Sequence, residues 1–93
     1  MMYSKGMSRS TRIETLLRAN IPVKLIEIHD ESDAHRGHYE RAQDRETHLR
    51  LVIVSVAFNG MTRLERHRYV QSLLKAEFKK GLHALSLDLS GTH

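Results

Sequence analysis

Apolar positions along this chain change spacing from helical to extended and back, and that alternation divides it into elements. Ile13, Leu16 and Leu17 fall at i, i+3 and i+4, one stripe of a short helix. Thr11 and Glu14 have the spacing of a capping box, which predicts the helix start there. Asn20 and Pro22 predict its end, because a proline drives the residue before it out of the α region. Val23 to His29 is rich in β-formers, with Val23 and Leu25 in one phase and Ile26 and Ile28 in the other. That mixture predicts a strand partly covered on both faces. Asp30 to Thr47 is polar and predicts a long loop, with a helix-leaning run from Tyr39 to Arg45.

His48 to Ser55 is almost continuously apolar, which predicts a central strand covered on both faces. Phe58, Asn59 and Gly60 form a turn signal, and Thr62 with Glu65 gives a second capping box. From there to Lys80 the pattern is helical, with Val70, Leu73, Leu74 and Phe78 on the apolar stripe. Lys79 and Lys80 suit the negative end of the helix dipole, and Gly81 suits the C′ position. Leu82 to Leu89 predicts the last strand, with His83, Leu85, Leu87 and Leu89 on one face.

The element order is helix, strand, strand, helix, strand. A strand–helix–strand crossover makes its two strands parallel, and the two earlier strands can pair antiparallel across the loop. The expected architecture is α+β: a small mixed three-stranded sheet with helices packed on it. The expected organisation is a flexible tail over residues 1–10, one domain over 11–89 and a short tail over 90–93.

Composition narrows the function. Ninety-three residues are enough for one domain with one modest core. No apolar run reaches the roughly 20 residues of a transmembrane helix, so no membrane partner is expected. No secretory signal is read at Met1 to Arg12, which predicts an intracellular protein, mitochondrial or cytoplasmic. There is no cysteine, which excludes a disulfide scaffold, a thiol nucleophile and a thiolate-built metal site on this chain. Phosphate loops, H-E-x-x-H and G-x-S-x-G are all missing, so no enzyme is expected. The net charge of +4 permits nucleic acid or an acidic protein as partner.

Seven histidines stand out, because imidazole is the commonest metal ligand. His29, His35 and His38 surround the start of the long loop, His48 opens the central strand, and His67 sits beside the stripe of the long helix. His83 lies at the start of the last strand, either as a hydrogen-bonded edge residue or as a ligand at the core's rim. Asp30, Glu31 and Asp33 read as a solvated turn. Arg63, Arg66, His67, Arg68 and Lys75 make a basic patch, either an ordinary charged face or a surface that contacts phosphate.

Several pieces together resemble the BolA family: Glu31-Ser32 with His35, Glu46-Thr47-His48, Val52-Ile53-Val54-Ser55, Phe58-Asn59-Gly60, Arg66-His67-Arg68 and His83-Ala84-Leu85-Ser86. They keep that family's order and spacing over Ile13 to Leu89. The resemblance implies a fold similar to class II KH domains, with monothiol glutaredoxins of the C-G-F-S type as partners. It implies a [2Fe–2S] cluster bridging the two proteins, with glutathione and the partner's cysteine on one side. By the same resemblance this chain gives His83 and His35; His38, in the same loop, is a substitute by position, and no cofactor is expected on the isolated chain. Alone it would be a monomer or weak dimer. Arg66, His67 and Arg68 match a family signature without a ligand role.

A second expectation is a KH-like DNA- or RNA-binding regulator acting in transcription, through Arg63, Arg66, His67 and Arg68. Against it, Gly60 is followed by Met61-Thr62-Arg63, so the G-x-x-G loop of KH domains is missing. The chain also departs from the family in its loop, which lacks a Pro-Gly pattern, and at Leu49, where an aromatic is usual.

Overall fold

The computed structural model describes residues 8–31 and 47–92. Helix α1 (Arg9–Asn20) opens on Ser8, whose hydroxyl accepts the Thr11 N–H, and closes where the Ile21 N–H reaches the Leu17 carbonyl just before Pro22. The helix therefore takes in Arg9 and Ser10, which sequence reading assigned to a tail. The predicted Thr11–Glu14 capping box does not form. Glu14 instead accepts from Arg18 at 2.9 Å, one turn along the helix. The earlier start carries Arg9 and Arg12 onto Glu77, 68 and 65 positions away in sequence, and no local signal at Thr11 reports that gain.

Strand β1 (Val23–Asp30) runs antiparallel to β2 (His48–Ser55), and β3 (Ala84–Ser90) runs parallel to β2. The sheet order is β1-β2-β3, with β2 in the middle as the apolar run predicts. Its covering differs from expectation. Leu49, Leu51, Ile53 and Ser55 are buried, while His48, Arg50, Val52 and Val54 on the opposite face are only half-buried. On β1, Ile26 and Ile28 meet the core, but Leu25 is 43% exposed. Among the described residues only one face of the sheet is sealed, as the alternation of buried and half-buried positions along β2 shows. The continuous apolar run reflects a central position in the sheet rather than cover on both sides.

The core joins Ile13 and Leu17 of α1, Ile21, the buried face of β2, Phe58, Val70, Leu74, Leu82 and Leu89. After β2 a 3-10 turn (Val56–Phe58) buries Phe58, and Gly60 takes φ +83°, a conformation that favours glycine. Asn59 holds the far end of the chain: its Oδ1 accepts the Thr92 N–H at 2.8 Å and its Nδ2 donates to the Thr92 hydroxyl at 3.0 Å.

Helix α2 (Arg63–Leu73) opens with the predicted capping box, the Thr62 hydroxyl taking the Glu65 N–H and the Glu65 carboxylate taking the Thr62 N–H. The predicted single helix to Lys80 is broken at Leu74, and α3 (Lys75–Lys79) follows. Glu77, not Phe78, faces inward; Phe78 is 37% exposed. Position 77 continues the stripe of Val70 and Leu74 at i+7, a site that hydrophobicity alone withholds from a carboxylate. Two arginines from α1 make it acceptable there.

Candidate functional site

Strands β2 and β3 are parallel, so both begin at the same end of the sheet. His48 opens β2 and pairs in register with Ala84, which places His83 beside it. The two imidazoles meet edge to face, with centroids 5.9 Å apart and an interplanar angle of 83°. The His48 Nδ1 is 2.9 Å from the Thr47 hydroxyl, which orients that ring.

The backbone at this corner is irregular. The N–H groups of both His83 and Ala84 point at the Thr47 carbonyl, at 2.8 and 3.1 Å. In a regular strand consecutive amides face opposite edges, so this doubled contact takes His83 out of the alternation. His83 therefore lies before β3 and is exposed, rather than sharing the buried face of Leu89 as predicted. On the other side of the corner, the Glu31 N–H donates to the His48 carbonyl at 2.7 Å. The end of β1 and the beginnings of β2 and β3 thus converge around Thr47 and His48. Segment 32–46 leaves from Glu31 and returns at Thr47; its His35 and His38, both singled out in sequence, lie outside the described residues.

Among the described residues, no group of three metal-ligating side chains comes together. The corner, among the described residues, sets two imidazoles together, a pair that suits a share in a metal centre completed elsewhere. His48 was not among the sequence candidates. Its signal was legible nonetheless, because two parallel strands, one starting at a histidine and the other just after one, must bring those histidines to one end of the sheet.

The basic patch is divided by its hydrogen bonds. Arg66 turns inward, its Nε donating to the Phe58 carbonyl at 3.2 Å and its Nη1 to the Leu89 carbonyl at 3.1 Å. Since the Ala84 N–H faces β2, the Leu89 carbonyl faces the sheet's free edge, and Arg66 covers it there. Arg66 is thus a structural clamp, which corrects its place among the candidate contact residues. Arg63 and Arg68 are exposed on α2, and His67 is half-buried.

Comparison with known proteins identifies the family and the fold. The family model for BolA-like proteins matches residues 17–93. The chain belongs to the BolA-like family. This BolA-like chain is 42% identical over 89 residues to the UV-induced protein uvi31 of Schizosaccharomyces pombe, covering 92% of this chain and 87% of that one. It is 38% identical over 76 residues to the DNA-binding transcriptional regulator BolA of Escherichia coli, covering 82% and 69% respectively. Among solved structures, the BolA domain of SufE1 from Arabidopsis thaliana superposes with a TM-score of 0.79 at 40% identity, covering 90% of this chain and 92% of that one. The family and the α-β-β-α-β order both stand as read from sequence, with the second helix divided in two.

Proposed function

We propose that this BolA-like chain is a non-catalytic intracellular interaction protein, working in iron–sulfur cluster assembly or iron regulation. It binds a monothiol glutaredoxin of the C-G-F-S type and gives imidazole ligands to a [2Fe–2S] cluster that the partner's cysteine and glutathione complete. His83 is the anchored ligand. His35 is the second, with His38 in the same segment as its substitute.

One observation carries this reading: an exposed imidazole on a pinned backbone stands where segment 32–46 attaches. His35 follows Glu31 by four positions, a reach of at most roughly 14 Å. His48 stands against His83 and is the alternative second donor. The absence of cysteine fits a chain that contributes to a cluster without holding one alone. Bound there, the cluster would supply redox and cluster-transfer chemistry, and neutral histidines in place of thiolates raise its potential. Protonated imidazole cannot ligate, so acid weakens the complex.

The test is anaerobic reconstitution with a C-G-F-S glutaredoxin and glutathione, followed by visible circular dichroism. Wild type should change the glutaredoxin cluster's spectrum, and His83→Ala should abolish the change. His35→Ala, His38→Ala and His48→Ala identify the second ligand by which of them weakens it. A wild-type chain that leaves the spectrum unaltered overturns the reading.

Nucleic-acid binding is the second reading, favoured by the exposed Arg63 and Arg68 and by the name of the Escherichia coli relative. A gel shift that weakens steeply with salt, with the slope reduced in Arg63→Ala and Arg68→Ala, would support it. Arg66→Ala is the wrong probe, because it disturbs the fold.

A further inference from the structure

Three polar or charged side chains are buried among the described residues: Thr47, Ser55 and Glu77. Two of them flank His83. The Thr47 carbonyl accepts the His83 N–H at 2.8 Å, and the Glu77 carbonyl accepts the Leu82 N–H at 3.0 Å. The His83 ring is exposed and meets His48 only at its edge. What is fixed of its placement is therefore the position and Cα–Cβ direction given by the backbone that carries it, and that backbone is held at these two points.

The second point belongs to a larger assembly. The Glu77 carboxylate accepts from Arg9 Nε at 3.0 Å and from Arg12 Nη2 and Nε at 2.8 and 2.9 Å. Arg9 also reaches the Lys80 carbonyl through Nη2 at 2.8 Å. The end of α3 is a Schellman turn, with the Leu82 N–H on the Glu77 carbonyl, the Gly81 N–H on the Phe78 carbonyl and Gly81 at φ +119°. The first turn of α1 thus grips the last turn of α3 by its side chain and by a terminal carbonyl, one residue short of the segment that delivers His83.

A buried ion network gives little net stability over apolar side chains of equal volume. What it supplies instead is direction, because planar guanidiniums on a carboxylate permit far fewer arrangements than aliphatic contacts do. We propose that Glu77, strapped by Arg9 and Arg12, is a positioning residue for His83, so that the aim of the ligand is set from the first turn of α1. This rests on the reading of His83 as a ligand. The strap touches no metal and acts only through residues 80–83.

The test compares three forms of the full chain. In Arg9→Met/Arg12→Leu/Glu77→Leu, apolar groups fill the site. Glu77→Gln keeps the shape and removes the charge. Leu17→Ala is a destabilised core control that keeps all three strap residues. The readouts are thermal melting, amide exchange at Leu82, His83 and Ala84, the nuclear Overhauser contact between the His48 and His83 rings, and the cluster spectrum with the glutaredoxin. The apolar triple variant should melt close to wild type, yet exchange faster at 82–84 and lose the ring contact. It should bind the cluster-bearing partner about tenfold more weakly, as expected when support behind a ligand is removed. Unchanged exchange and an intact ring contact in that variant would overturn the proposal. Should the triple variant not fold, Glu77→Gln must loosen 82–84 more than Leu17→Ala does, and equal loosening overturns it. If wild type forms no cluster complex, the ligand reading fails, while exchange and the ring contact still decide the strap.

Discussion

Individual side chains divide here into those that hold the fold and those left available. His83 is exposed and outside the strand ladder, so His83→Ala should change stability by less than about 0.5 kcal/mol, within the range of ordinary surface substitutions. Urea unfolding would check this, and an unchanged midpoint makes any loss of cluster binding local. Arg66 is the opposite case. Its guanidinium serves the carbonyls of Phe58 and Leu89, and bonds from a charged donor contribute roughly 1.5–3 kcal/mol each. Arg66→Ala should cost about 2 kcal/mol or more by the same measurement. The contrast was not legible in the motif: the tripeptide Arg66-His67-Arg68 reads as one basic patch, and only the packing of α2 on β3 separates an inward arginine from an outward one.

At the scale of elements, sequence patterning identified the three described strands, their sheet order and the two described helix regions, because period-2 and period-3.6 signals report which face is covered. It failed where a distant charge decides. The inward turn of Glu77 depends on Arg9 and Arg12, across more than sixty residues, and has no local signal, whereas the start of α1 carries one in Ser8, the residue that caps it. The consequence is a pH dependence. The Arg12 hydrogen bond, ahead of the opposing effect of burial and assisted by Arg9, holds the Glu77 carboxyl below its ordinary value of 4.5. A carboxyl lowered in the folded state stabilises fully above its unfolded pKa, and that stability disappears as the pH falls through the folded value. Melting followed from about pH 5 to about pH 3 should therefore decline more steeply for wild type than for Glu77→Gln. Equal slopes would mean that Glu77 titrates alike in both states. At neutral pH, Glu77→Ala leaves two arginines facing a gap and should cost about 3–5 kcal/mol, as broken buried pairs do.

Over the whole molecule, the described core is small, with few substitutes for its largest member. Phe58 is fully buried where β2 gives way to α2. Phe58→Ala should cost about 3–5 kcal/mol, most of what a domain of this size possesses; calorimetry should show a loss of the cooperative transition near physiological temperature. The same topology makes the site. Parallel β2 and β3 put two histidines at one corner, and the antiparallel return of β1 brings the ends of segment 32–46 to it. That corner could have been read in advance from element order and the positions of His48 and His83, whereas the exposure of His83 could not, because it depends on the doubled amide contact at Thr47.

The central claim is that this chain's imidazole nitrogen ligates iron in the shared cluster. It is tested most directly by labelling the chain's histidines with 15N, reconstituting the complex with unlabelled glutaredoxin and glutathione, reducing the cluster and recording its pulsed electron paramagnetic resonance. The account predicts strong 15N hyperfine coupling in wild type that disappears or halves in His83→Ala. A reduced cluster in the wild-type complex with no 15N coupling, or with coupling indifferent to His83→Ala, would contradict it.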